Sequence, residues 1–284
     1  MHERKQRVLL SAQKLFVTKG FNNTSIQDIL EEANISKGTF YNYFSSKNEC
    51  LIAILETAQN DTIARRAKLQ NHHHPSDKHV LEKQISVRFE VMHEHHLLPL
   101  FEQIRHSDDQ ELKEFVKHYH FQEIKWLSSR LIDVYGTEVK HYAYDCAVLL
   151  LGIIQQLFHI WGTYTDKNIH PAALISYAMR RIDKVIVDLI ETNDILFGDK
   201  WCEKAVQKNV PSKQQIAKEL MSLACGNNEK AKEYVEFIIE ELKADKPKKH
   251  ILHSVLLALR QEILDSQLEI DSLAVLTKVE QVIE

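Results

Sequence analysis

Turn-forming residues are scarce in this chain. Seven glycines and five prolines in 284 residues leave room for few turns and favour an all-α fold. The prolines, Pro75, Pro99, Pro171, Pro211 and Pro247, stand where helical patterns break. Cysteine is equally thin: Cys50, Cys146, Cys202 and Cys225 lie far apart and form no CxxC pair, as expected in a reducing cytoplasm. Long apolar runs are missing. The longest, Ala147 to Ile154, is eight residues, against the ~18 or more that a membrane-spanning helix needs, and Met1 to Leu10 is too polar for a signal peptide. Catalytic patterns are missing as well: there is no HExxH, no GxSxG and no glycine-rich phosphate loop, and no His/Asn pattern accompanies the cysteines. Neither an enzyme nor a cofactor is expected.

Apolar residues make up 44% of the chain, ample for a core, and the length suits a small first domain with about one or two more. The net charge is −4, but it is unevenly spread. Residues 1–48 carry Arg4, Lys5, Arg7, Lys14, Lys19, Lys37 and Lys47 against Glu3, Asp28, Glu31 and Glu32, a local +3 on an otherwise acidic chain. Such a balance suits binding by one positioned basic face while the remainder repels nucleic acid.

The segment Ser25–Phe44, SIQDILEEANISKGTFYNYF, reads as two short helices joined by a tight turn. Ile26, Ile29, Leu30 and Ala33 recur at helical spacing, Asn34 suits a turn that needs positive φ, and Ser36 can cap the second helix. Phe40 and Phe44, four apart, share a buried face and leave Lys37, Gly38, Thr39, Tyr41, Asn42 and Tyr43 around the outer surface. A protein offers one helix to a DNA groove in this way. Lys37 can neutralise a phosphate, Gly38 admits the sugar-phosphate chain, and Thr39 and Tyr41 can bond a phosphate or touch a thymine methyl. Thr24 and Ser25 add hydroxyls at a helix start, and Lys47 sits at the start of the next helix. Asn42 either reads an adenine through its amide or faces solvent.

Ala12, Leu15, Phe16, Gly20-Phe21, Thr24-Ser25, Ile29, Ala33, the run Ser36-Lys37-Gly38-Thr39-Phe40-Tyr41, Phe44 and Lys47 follow in order and spacing a signature that resembles the TetR family of one-component bacterial regulators. The resemblance covers roughly the first sixth of the chain. Asn34 replaces the glycine usual in the turn, and Asn42-Tyr43 the usual Tyr-His. The resemblance implies an N-terminal three-helix DNA-binding domain with a helix-turn-helix over residues 1–48 and a helical ligand-binding and dimerisation domain over 49–197. Residues 198–284 go beyond it and are treated as an appended C-terminal helical region, expected either to pack against the ligand-binding domain or extend its dimer, or to bind a second partner.

Helical patterns run from about Glu3 to Lys19, from Lys47 to Leu69 with Leu51, Ile54, Leu55, Ala58 and Ile63 inward, and then over Asp77–His95, Leu98–His106, Asp109–Tyr135, Tyr142–Gly162 and Pro171–Asn193. The helix from Lys47 is the one rod expected to join the DNA-binding domain to the rest. Three more patterns cover Ser212–Ala224, Glu229–Ala244 and Lys248–Leu268, the last with a stripe of Ile251, Val255, Leu256, Leu259 and Ile263, and a shorter helix follows near the end. Broad stripes on Tyr142–Gly162 (Cys146, Leu150, Ile154, Leu157, Trp161) and on Pro171–Asn193 (Ile175, Ala178, Ile182, Val185, Leu189) predict a four-helix dimer interface.

An effector cavity is part of what the resemblance implies. Phe89, Met92, Phe115, Tyr119, Trp126 and Tyr144 are its candidate lining, each of them equally at home as core, with Gln122 and Arg130 as candidate polar handles. Sixteen histidines raise a metal site, His93 and His96 with Glu90 above all, but no spacing matches a zinc signature and no metal is expected. The expectation is a cytoplasmic, homodimeric, ligand-responsive repressor that binds an inverted-repeat operator in double-stranded DNA. A small apolar effector releases it, genes for efflux or detoxification being the family's usual targets. The alternative is a TetR-like interaction or sensor protein acting as an activator or through a protein partner.

Overall fold

The computed structural model describes residues 2–105, 109–164, 171–198, 213–223, 229–244, 247–265, 275–276 and 279. Among the described residues the structure is helical, with no strand. The chain divides into two compact units, Met1–Glu203 and Lys204–Glu284. In the first, α1 (His2–Thr18), α2 (Ile26–Ala33), α3 (Lys37–Tyr41) and α4 (Lys47–Gln70) are followed by α5 (Lys78–Glu94), α6 (Leu98–Arg105) and α7 (Gln110–Tyr135). A 3-10 turn (Thr137–Tyr142), α8 (Ala143–Tyr164) and α9 (Pro171–Thr192) complete it. The expected end at His106 lies outside the described residues.

Local chemistry sets the boundaries. Ser25 caps α2 in a reciprocal box: its hydroxyl accepts from the Asp28 amide while the Asp28 carboxylate accepts from the Ser25 amide. Asn34 ends α2 in the left-handed region, φ 51° and ψ 56°. Ser36, Ser46, Asp77 and Asp109 cap α3, α4, α5 and α7 through side-chain oxygens. The helix expected to run to Phe44 is regular only to Tyr41. The Tyr43 and Phe44 amides both turn back onto the Phe40 carbonyl, which keeps the Phe44 ring inside, 5.7 Å from that of Phe40.

Two apolar clusters occupy the first unit. One joins Val8, Ala12, Phe16, Ile29, Phe40 and Phe44 to Leu51 and Leu55 of α4 and onward to Val87, Val91, Leu100, Ile104 and Leu112. The other joins Leu81, Ile85, Ile124, Leu127 and Leu131 to Cys146, Leu150 and Ile154 of α8 and to Ile175, Ala178 and Ile182 of α9. Those residues of α8 and α9, expected to face a second copy, are instead completely buried within the unit. These six residues are covered by α5 and α7, while Leu157, Trp161, Val185 and Leu189 of the same stripes are only partly buried. The stretch Thr137–Trp161 is long and apolar enough, by length and composition, to cross a membrane; its inward face is this second core.

The Lys204–Glu284 unit contains α10 (Lys213–Leu223), α11 (Glu229–Lys243) and α12 (Lys249–Asp265), with α10 against α11 and α11 against α12. Ile216, Leu220, Val235, Ile238, Leu252, Leu256 and Leu259 fill it. Ile251, expected on the buried stripe of α12, is 37% exposed, and Leu252 takes its place. The expected ends at Ala224 and Leu268 lie outside the described residues, as does the side chain of Ile263.

Candidate nucleic-acid interface and the buried polar layer

The outer side of α3 carries Lys37, Gly38, Tyr41 and Asn42, all exposed, with Thr39 and Tyr43 partly so. Tyr41 is 45% exposed and its ring packs edge-on against that of Phe40, which is fully buried. The Thr39 hydroxyl lies 2.9 Å from that of Ser36, beside the cap. Gly38 has ordinary helical geometry, and a Cβ added there would meet only the Ser36 hydroxyl at 3.9 Å. Nothing inside the protein requires glycine at this position, although glycine in a helix costs about 1 kcal/mol relative to alanine.

Three of the expected contacts are differently employed. Thr24 is only 1% exposed, and its hydroxyl donates to the Gly20 carbonyl at 2.8 Å. The Lys47 ammonium donates to the Phe21 and Thr24 carbonyls at 2.7 and 2.8 Å and sits over the Phe21 ring. Burial pulls its pKa down and the Asp28 carboxylate opposes that. Thr24 and Lys47 therefore pin α4 to the loop before α2. The sequence pattern is the same for a brace as for a phosphate contact. Ser25 is exposed, but its hydroxyl is engaged by Asp28 at 2.6 Å.

The helix-turn-helix is tied to the rest of the unit at more points than α4. The Phe21 amide donates to Gln103 Oε1 of α6 at 2.8 Å, and Gln13 Nε2 of α1 donates to the His95 carbonyl at 2.7 Å. Asn48 donates to Asp109 at the start of α7. The expectation of a lone connecting rod is corrected accordingly: α6 is a second grip.

The six aromatic and Met candidates do not form one set. Phe115 packs with the first apolar cluster. Phe89, stacked on Phe158 at 4.3 Å, packs with the second, as do Trp126 and Tyr144. Between the clusters runs a layer of buried polar side chains, Arg66 of α4, Gln84 and Arg88 of α5, and Glu123 and Arg130 of α7, of which the sequence pointed only to Arg130. Tyr119 and Met92 are buried beside them. Arg66 makes a two-pronged pair with Glu123 at 2.9 and 2.6 Å, bonds the Gln84 carbonyl, and lies 3.5 Å over the Trp126 ring. Burial would raise the Glu123 pKa; the two guanidiniums overcome it and hold the carboxyl at about 2. Arg130, a candidate ligand handle, is spent on Gln84, Asp133 and the Pro75 carbonyl. Gln122 lies 3.3 Å from the His118 ring.

The signal for this layer was present. Leu81, Ile85, Arg88 and Met92 are spaced four, three and four apart, so a charge stands on an inward stripe, and Tyr119, Glu123 and Leu127 repeat the pattern on α7. The Cys50 and Cys146 thiols are pushed up to about 12, chiefly by burial, which makes them poor nucleophiles. Among the described residues no three His, Cys, Asp or Glu side chains gather to hold a metal ion.

The comparisons with known proteins agree with this geometry. Residues 8–54 match the family model of bacterial regulatory proteins, tetR family. The HTH-type transcriptional regulator YerO of Bacillus subtilis (strain 168) is 27% identical over 265 residues, 90% of this chain and 89% of YerO, so the similarity extends into the C-terminal unit. YuxN of the same organism, also an HTH-type transcriptional regulator, is 28% identical over 197 residues, 68% of this chain and 67% of its own length. The HTH-type transcriptional repressor NemR of Escherichia coli (strain K12) is 33% identical over 55 residues, 19% of this chain and 28% of NemR. No solved structure matches the chain. Residues 8–54 are thus a DNA-binding domain of the kind found in the tetR family of bacterial regulatory proteins, and the chain is a DNA-binding transcriptional regulator.

Proposed function

We propose that this regulator is a cytoplasmic, homodimeric repressor whose α3 helices enter successive major grooves of an inverted-repeat operator, and that a small, largely apolar effector releases it. Genes for efflux or detoxification of such compounds are its proposed targets. The observation that carries the DNA-binding side is Gly38: an exposed glycine with no internal steric need, flanked by exposed Lys37 and Tyr41, is what close approach of a phosphate backbone requires. In this reading Lys37, Gly38, Thr39, Tyr41, Asn42 and Tyr43 contact DNA, with Ser25 at the edge, while Thr24 and Lys47 hold the frame. The domain limits proposed are 1–48, 49–197 and 198–284.

Dimerisation is supported by apolar side chains left exposed on α8 and α9, namely Leu149 at 44%, Ile160 at 45%, Tyr177 at 44%, Val187 at 50% and Ile190 at 37%. Two DNA-binding domains then sit about 34 Å apart. The sign of regulation is proposed by analogy with NemR, a transcriptional repressor. The test is footprinting on the DNA upstream of the protein's own coding region. Two protected half-sites about one helical turn apart are expected; no protection, or one unpaired site, contradicts the reading.

A further inference from the structure

We propose that the effector carries a single carboxylate on an apolar body, and that this carboxylate pairs with Arg88 in the polar layer between α4, α5 and α7. The proposal rests on the reading of the protein as a ligand-responsive regulator and specifies the chemistry of its ligand. Arg88 is only 7% exposed, yet among the described residues its Nε and Nη1 have no hydrogen-bond partner. The Glu123 oxygen facing Nη1 is 3.6 Å away, and both Glu123 oxygens are already bonded by Arg66. Two guanidiniums thus share one carboxylate, leaving one positive charge and two donors unmatched in a buried place. Buried polar groups are nearly always paired, and a buried charge without a partner is expensive. A monoanion supplies what is missing. A dianion would reverse the imbalance, and a hydrophobic cation would worsen it.

The surroundings specify the rest of the molecule. The Tyr119 ring lies 5.2 Å from the Arg88 guanidinium, and Phe101 and Phe115 flank Tyr119 at 5.4 and 6.5 Å. Met92 is one turn along α5 from Arg88 and buried. A head bonded to Arg88 therefore meets an aromatic and thioether wall suited to an aliphatic or aryl tail. Phe101 stands on α6 two residues before Gln103, the side chain that holds the Phe21 amide. An occupant that moves Tyr119 and Phe101 presses on the second grip of the DNA-binding domain.

The test uses the full chain with sodium hexanoate, decanoate, tetradecanoate and 4-phenylbutyrate, and with 1-decanol and decylamine as controls. Thermal unfolding and tryptophan fluorescence are the readouts. At least one carboxylate is expected to raise Tm while the alcohol and the amine do not, with Arg88→Met weakening its binding tenfold or more. Glu123→Gln, which removes the competing carboxylate, is expected to tighten binding, whereas a purely structural role would weaken both variants. The proposal is overturned if no carboxylate shifts Tm, if decanol binds as tightly as decanoate, or if Arg88→Met binds like the wild type. Should Arg88→Met fail to fold, unchanged or weaker binding in Glu123→Gln overturns it. Binding to the upstream DNA is measured separately without additives. A protein that binds this DNA but no carboxylate refutes the carboxylate site alone, and one that binds carboxylate through Arg88 but no DNA refutes the regulator reading alone.

Discussion

The Phe21 amide donates to the Gln103 side chain at 2.8 Å, joining residues 82 apart in sequence. This bond hangs the loop before α2 on α6, a helix whose Leu100 and Ile104 belong to the same apolar cluster as Phe16 and Phe40. A displacement of α6 would therefore act on this loop directly and not only through α4. Gln103→Ala is expected to cost about 1 kcal/mol, roughly 2–4 °C in Tm for a unit of this size. It should also shrink the factor by which an effector changes operator affinity, a coupling of typically 1–3 kcal/mol in such proteins. Measuring operator affinity with and without effector in the wild type and the variant checks this; an undiminished factor in Gln103→Ala would exclude the Gln103 bond from the coupling.

Gly38→Ala should separate stability from binding. The added methyl meets only a hydroxyl at 3.9 Å, so the folded protein gains about 0.5–1 kcal/mol from the better helix former, while operator affinity falls because the phosphate chain is held away. Denaturant unfolding and a gel shift on the same preparation test the opposite signs. A variant both more stable and equally tight on DNA would remove α3 from the interface.

On α8, adjacent residues carry opposite predictions. Leu150 is fully buried and Leu149 is 44% exposed. Leu150→Glu is expected to unfold the protein, since an unpaired charge enters the core. Leu149→Glu, together with Tyr177→Glu, should leave a folded monomer with weak operator binding. Sedimentation resolves the two outcomes, and a dimer that survives both exposed substitutions contradicts the proposed interface.

Acid stability depends in part on Glu123. Its carboxyl is held at about 2 in the folded protein against 4.5 unperturbed, so the unfolded chain takes up a proton first as pH falls. The stability that the Arg66 pair contributes is complete above about pH 4.5 and is lost towards pH 2, on the order of 3 kcal/mol. Glu123→Gln should flatten this part of the stability-against-pH curve, whereas Glu123→Ala, which strands two buried guanidiniums, should cost about 3–5 kcal/mol at neutral pH. Urea midpoints between pH 2 and 7 provide the check.

The helices were legible because their signals are local. Ser36 caps the helix it was assigned to, and Asn34 takes the left-handed turn assigned to it. Phe40 and Phe44 are buried as their spacing required. Legibility failed where an outcome depends on what another helix brings. Leu150 and Ile182 stand on stripes that suit a dimer seam or a core equally well, and only the packing of α5 and α7 decides for the core. Lys47 has the sequence position of a phosphate contact, but the Phe21 and Thr24 carbonyls reach it first. Arg66, Arg88 and Glu123 come from three helices, and no spacing within one helix predicts that they meet.

The central claim is that α3 holds operator DNA through its exposed outer side. Fluorescence anisotropy with labelled upstream DNA across a salt series tests it most directly, comparing the wild type with Lys37→Ala, Tyr41→Ala and Phe40→Ala. Lys37→Ala and Tyr41→Ala should fold normally and bind more weakly, with the salt slope of Lys37→Ala reduced by about 1. Phe40→Ala should instead lose stability, on the order of 3 kcal/mol. Unchanged affinity and unchanged salt slope in both Lys37→Ala and Tyr41→Ala would contradict the account.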